Sequence, residues 1–190
     1  MNINKNYVEK VDCSGLTSEE IDISGHINTE LITSVDYTNL KMSITRVVKN
    51  PQRGTDFSAG IDFFIPDTFN KGLPFELKSG NRCIIELGVY IDLIGSGLNN
   101  YALIFMNKSG VATKTGLVVG ACVIDADYQG ELMLNLYNPT DVSVEIEPGM
   151  KAIQGIILPV YYSQPEIVPF KDLYKDKSSR GDGRFGSTGN

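Results

Sequence analysis

Five short segments of the chain carry side chains able to do chemistry on a charged substrate. The richest is Gly120-Ala121-Cys122-Val123-Ile124-Asp125-Ala126-Asp127-Tyr128-Gln129-Gly130-Glu131, where an apolar run feeds straight into an acid. Locally it reads as a β-hairpin with acids at its neck and Tyr128 near its tip, since Asp and Gly are ordinary turn residues. Asp125 follows Ile124 at the end of an apolar strand, a poor place for a mere turn former, and a carboxylate there can act as general base on a water. Lys108-Ser109-Gly110-Val111-Ala112 sets a cation, a hydroxyl and a glycine-freed amide after an apolar run. These groups hold an anion or make a solvated turn, and they lack the spacing of a P-loop. Ser58-Ala59-Gly60-Ile61-Asp62 combines small residues with an acid, which permits close backbone approach or a strand entered through a tight turn. In Pro148-Gly149-Met150-Lys151-Ala152-Ile153-Gln154-Gly155-Ile156 a glutamine interrupts an apolar strand and must find partners, a neighbouring backbone group being the simplest. The last segment is Arg180-Gly181-Asp182-Gly183-Arg184-Phe185-Gly186-Ser187-Thr188-Gly189-Asn190. Arginines, hydroxyls and glycine amides are the groups that wrap a phosphate, and Phe185 can stack on a flat ring. The same composition cannot fold by burial alone, so a plain polar tail is the other reading.

The elements that must position these groups have a period of two. Leu40, Met42 and Ile44 alternate with polar residues, as do Leu132, Leu134 and Leu136, and again Val142, Val144 and Ile146. Alternation of this kind turns one face to a core and one to solvent, as in antiparallel strands. Further strands are expected over 83–94, 101–106, 116–124 and 153–162, with turn signals between them. No long helical pattern is present, and Thr17-Ser18-Glu19-Glu20 caps at most one helical turn. Many short strands at this spacing indicate a β-sandwich or barrel. The boundaries expected are an N-terminal extension over 1–38, a β-rich domain over 39–165 and a C-terminal arm over 166–190.

Composition narrows the chemistry. At 190 residues the chain suits one domain with an added arm. Three cysteines without a CxxC pair and a single histidine, His26, argue against a Cys/His metal site and against a histidine-based nucleophile triad. Net charge is −6, which argues against broad nucleic-acid binding, so a polyanionic substrate must be met by a local cluster of donors. The first residues are too polar for a signal peptide and no apolar run spans a membrane, so a cytoplasmic protein is expected.

Taken in order, the five segments resemble the five motifs of trimeric dUTPases, over residues 40–190. The resemblance implies an all-β, jelly-roll-like fold, a homotrimer, and Mg²⁺-dependent cleavage of dUTP between the α- and β-phosphates to give dUMP and pyrophosphate. It implies Asp125 as the base that deprotonates the attacking water and Asp62 as an acid supporting the site. Tyr128 would pack on the deoxyribose and exclude a ribose hydroxyl. The backbone from Gly120 to Val123 would bond the uracil edge, and Lys108, Ser109, Gly110 and Gln154 would meet phosphate. Arg180, Gly186, Ser187 and Thr188 would clamp the distal phosphates while Phe185 stacks on the uracil. Mg²⁺ would be held mainly by phosphates and waters, with no protein ligand. Four residues depart from the family pattern: Lys108 for an arginine, Asn107 for a proline, and Cys122 and Arg184 for glycines.

Other readings of the same pattern are a nucleotide-sensing or regulatory protein on this fold, whose N-terminal extension holds a protein partner, and a relative acting on dCTP. A purely structural jelly-roll explains no part of the C-terminal segment.

Overall fold

The computed structural model describes residues 38–179 and 181–182. Within them the chain forms twelve strands, two short α-helices and two 3-10 turns, Phe69–Gly72 and Ile94–Ser96. The strands are β1 (Lys41–Ile44), β2 (Gln52–Arg53), β3 (Ile61–Phe64), β4 (Phe75–Leu77), β5 (Arg82–Glu86), β6 (Val89–Asp92), β7 (Tyr101–Asn107), β8 (Val118–Val119), β9 (Val123–Ile124), β10 (Met133–Tyr137), β11 (Val144–Ile146) and β12 (Lys151–Pro159). The helices are α1 (Ser109–Thr115) and α2 (Phe170–Leu173). Every strand pairing is antiparallel. The largest sheet has the order β2-β3-β12-β7-β9, and a second has β5-β10-β8. Two further pairs, β1-β6 and β11-β4, complete the described architecture.

One core joins these layers. Phe63, Leu103, Phe105 and Ile153 from the five-stranded sheet meet Ile85, Leu134 and Leu136 from the three-stranded sheet in a single buried cluster. Phe63 and Phe105 touch edge to face with centroids 5.3 Å apart, a favoured aromatic geometry. β10 keeps the expected alternation: Leu134 and Leu136 are buried while Met133, Asn135 and Tyr137 lie on the other face. β3 is buried at all four positions, Asp62 included. This all-β, jelly-roll-like arrangement is the expected fold class.

Several expected boundaries move. The strand expected over 83–94 is two strands, because Gly88 adopts φ +69 between β5 and β6. A Cβ at Gly88 would meet Arg46. Residues 153–162 do not form one strand: β12 ends at Pro159, which cannot donate to a ladder, and Tyr161 is fully exposed. Val142 is exposed and precedes β11, and Ile44 at the end of β1 is also exposed. The Lys108–Ala112 segment, read as an anion-holding strand end or a solvated turn, opens α1. That helix closes on Gly116 in the left-handed region, φ +71, whose N–H donates to the Ala112 carbonyl at 2.9 Å. The Thr17–Glu20 capping signal, Cys13 and His26 lie outside the described residues.

The hairpin expected over 116–131 and beyond is corrected most. Val118 and Val119 pair with Tyr137 and Leu136 of β10. The Gly120 N–H still donates to the Asn135 carbonyl at 2.8 Å. After that the chain leaves β10. The Cys122 carbonyl accepts from Phe105 N–H at 2.8 Å, and Ile124 pairs with Leu103 of β7. The two arms therefore end in different sheets and splay, because Ile124 and Leu134 each follow the hydrophobic side that their own sheet buries.

Candidate active site

The first cluster forms at one end of the five-stranded sheet. Asp62 sits on β3 directly opposite Gln154 of β12, so both side chains leave the face away from Phe63. Asp62 is 4% exposed. An unpaired carboxylate there would be costly. It is paired twice: Lys108 Nζ reaches Oδ1, and Lys151 Nζ lies 2.8 Å from Oδ2. Burial alone pushes the Asp62 pKa up, but the hydrogen bonds from Lys108 and Lys151 outweigh it and hold the carboxyl below its ordinary value. Gly60 leaves space for Gln154, whose Cβ would stand 3.0 Å from a Cβ at position 60. Gln154 Nε2 donates to the Asn107 carbonyl at 3.0 Å, a backbone partner for a half-buried amide. The loop before β3 is braced by Arg53, which donates to the carbonyl of Ser58 and, at 3.1 Å, to that of Ala59.

Lys108 is the last residue before α1, and Ser109 and Gly110 form its exposed first turn. Around Gly110 lies open space. Asn107 ties this end of β7 to β8, since its Oδ1 accepts from Val119 N–H at 2.8 Å. It thus touches Gln154 through its backbone and β8 through its side chain.

The second cluster occupies the gap between the splayed arms. There a pocket of about 160 Å³ is lined by Ala121, Val123, Ile124, Asp125, Tyr128, Leu132 and Met133. Its walls are apolar except for the Asp125 carboxylate and the Tyr128 ring, both exposed. Tyr128 N–H donates to the Asp125 carbonyl at 3.2 Å, and the Tyr128 hydroxyl donates to the Glu131 carbonyl at 2.9 Å. Glu131 is itself clamped. Arg46 Nε donates to it at 2.8 Å and Gly88 N–H at 2.6 Å. Arg46 also pairs with Glu86. The Arg46 hydrogen bond is the main reason the Glu131 carboxyl lies below its usual pKa, with Gly88 adding to it against the effect of burial. Gly120 packs beneath Asn135, whose Oδ1 is buried with no hydrogen-bond partner.

The structure therefore gathers Asp62, Lys108 and Gln154 into one cluster and Gly120, Val123, Asp125 and Tyr128 into another. Arg180, Phe185, Gly186, Ser187 and Thr188 lie outside the described residues. Sequence reasoning gave no role to Lys151, Asn107, Arg46 or Glu131. Lys151 lay inside the fourth segment, and a cation three residues before Gln154 was its only signal.

The described residues thus present a carboxylate held by two lysines and a small pocket with a second carboxylate at its rim. The family model for dUTPase matches residues 47–189. The chain belongs to the dUTPase family, hydrolases that act as dUTP diphosphatases. It is 40% identical, over 115 residues, to the deoxyuridine 5′-triphosphate nucleotidohydrolase of Francisella tularensis subsp. holarctica, covering 60% of this chain and 74% of that one. The enzyme of the same name from F. tularensis subsp. novicida is 39% identical over the same coverage. Among solved structures, a Staphylococcus bacteriophage 80alpha dUTPase with dUpNHpp superposes with a TM-score of 0.68 at 23% identity, over 81% of this chain and 100% of that one. The dUTPase of phage phi11 of S. aureus gives 0.60 at 21% identity, over 72% and 99%. At such identities these structures speak for the fold.

Proposed function

We propose that the chain hydrolyses dUTP to dUMP and pyrophosphate, with uracil in the pocket between the splayed arms and the triphosphate running toward Lys108. The observation that carries this reading is the pocket itself, with mostly apolar side chains along its walls and the Asp125 carboxylate at its rim. The backbone from Gly120 to Val123 reads the uracil edge, so cytosine would leave buried amides and carbonyls unpaired at ~1–3 kcal/mol each. Tyr128, tied to Glu131 through its hydroxyl, packs its ring on the deoxyribose and leaves no room for a 2′-hydroxyl. Asp125 takes a proton from the water that attacks the α-phosphorus. Lys108, Ser109, Gly110 and Gln154 meet the phosphates, Asp62 supports Lys108, Arg180, Gly186, Ser187 and Thr188 close over the phosphates, and Phe185 stacks on the uracil.

Among the described residues no three His, Cys, Asp or Glu side chains gather as a metal cage. A Mg²⁺ carried in by the triphosphate and its waters would supply charge neutralisation for a polyanion approaching an acidic protein. The working assembly is a homotrimer in the cytoplasm, and residues 1–38 form a separate extension able to hold a protein partner. No helix among the described residues is long and apolar enough to cross a membrane.

Pyrophosphate release from dUTP, dCTP, dTTP and UTP, with and without Mg²⁺, tests this reading. Selective turnover of dUTP is expected, with Asp125→Asn lowering kcat by about 10²–10⁴-fold. Tight dUTP binding without turnover would make the chain a nucleotide sensor, and preference for dCTP would move the substrate.

A further inference from the structure

The β12 strand carries an irregularity that decides where Lys151 points. Gln154 pairs with Asp62 and Ile153 with Phe63, but the next pair joins Lys151, not Ala152, to Phe64. Ala152 is therefore an extra residue, a β-bulge. In a regular strand Lys151 would share the face of Ile153, which is fully buried in the core. The bulge turns it to the face of Asp62, Phe64 and Gln154 instead. Its ammonium then lies 2.8 Å from Asp62 Oδ2 and 5.8 Å from the centre of the Phe64 ring. Asp62 thus has one carboxylate oxygen for each lysine, Oδ1 for Lys108 and Oδ2 for Lys151.

We infer that Lys151 is a positioning residue that frees Lys108 for substrate. This rests on the proposed role of Lys108 at the phosphates. Buried Asp62 must keep a cation at all times, because an unpaired buried carboxylate is heavily penalised. If Lys108 were its only partner, moving that ammonium to a phosphate would leave Asp62 uncompensated. With Lys151 fixed on the second oxygen, Asp62 stays neutralised while Lys108 swings away. The arrangement exchanges one ion pair for another rather than breaking one. Lys151 acts through Asp62 and Lys108 and touches no substrate atom.

The test is steady-state kinetics on dUTP with full-length wild type, Lys151→Met, Lys151→Arg, Lys108→Met and the double variant Lys108→Met/Lys151→Met. Lys151→Met should raise KM about fivefold with kcat within about twofold, the pattern of lost ground-state positioning. Lys151→Arg should restore KM, since it keeps the charge. In the Lys108→Met background, Lys151→Met should add nothing further to KM, because no ammonium is left to release. Equal, additive KM increases in both backgrounds would mean that Lys151 meets substrate directly and would overturn the inference, as would an unchanged KM in Lys151→Met. Should Lys151→Met fail to fold, Lys151→Gln gives the same comparison. If wild type turns over no nucleotide, the function reading fails by itself. The ion-pair exchange is then read from inorganic pyrophosphate binding by thermal shift, where the same pattern of weakening and non-additivity supports it and its absence overturns it.

Discussion

Gly120 has no room for a side chain. A Cβ there would stand 2.8 Å from Asn135 Cγ and 2.9 Å from its Oδ1. The conflict is with the middle of a half-buried amide rather than the free end of a long chain, so relief requires the β8 and β10 backbones to part. Gly120→Ala should therefore cost ~1–3 kcal/mol of stability. That corresponds to a Tm lower by roughly 2–4 °C per kcal/mol for a chain of this size, read by calorimetry. The double variant Gly120→Ala/Asn135→Ala should regain most of the loss, because it removes both the clash and an orphaned acceptor. Unchanged stability in the single variant would mean that Asn135 swings aside freely. Residue type singled out Asp125, Lys108 and Asp62 as candidates in the sequence, and the structure sets Lys108 against Asp62. Asn135 was not legible, since nothing in an alternating Leu134-Asn135-Leu136 pattern says which outward residue lies across a glycine.

Elements were legible by period and illegible by partner. The alternation in Leu132, Leu134 and Leu136 places β10 with its correct inner face, yet periodicity does not say which strand lies beside it. The segment before Asp125 therefore looked like half of a hairpin although Ile124 pairs with Leu103. α1 escaped notice because seven residues hold no apolar stripe, and only Gly116 at its end marked it. The bulge at Ala152 is a register event with no sequence signature. What holds the splayed loop is equally non-local: Arg46, on the segment after β1, reaches Glu131 across 85 positions. This clamp predicts a pH dependence. The Glu131 carboxyl titrates below its unfolded value of 4.5 in the folded protein. A depressed folded pKa means that its stabilisation is fully present above about pH 4.5 and is lost as pH falls through the folded value. Glu131→Gln should lower Tm by ~2–4 °C at pH 7. The gap between variant and wild type should close as pH drops below 4.5, read by thermal melts across pH 3–7. A gap independent of pH would assign the effect to shape rather than charge.

At the scale of the whole molecule, the described chain divides into a part that buries the core and a part that does not. Every residue in the buried cluster lies between Ile61 and Ile153. From Tyr161 to Ser179 every residue is exposed except half-buried Val168, and Ile167 and Phe170 are 93% and 82% open. α2 is only four residues long, held by Asp172 N–H to the Pro169 carbonyl at 2.8 Å and by an edge contact between Phe170 and Tyr174. The described core therefore lies upstream of this stretch, whereas the sequence keeps two arginines, a serine, a threonine and Phe185 downstream of it. Such a division separates stability from turnover. Ending the chain after Ser179 removes no residue of the described core, so Tm should stay within about 2 °C, less than the shift from a single ~1 kcal/mol change. The same truncation removes the cations and hydroxyls proposed to close on the phosphates. Activity on dUTP should fall about 100-fold in kcat/KM through loss of positioning. A parallel fall in Tm would assign residues 180–190 to the fold. Full activity would return the whole phosphate clamp to Lys108, Ser109 and Gln154, leaving the five-stranded sheet to bind the triphosphate with the groups already gathered at its end.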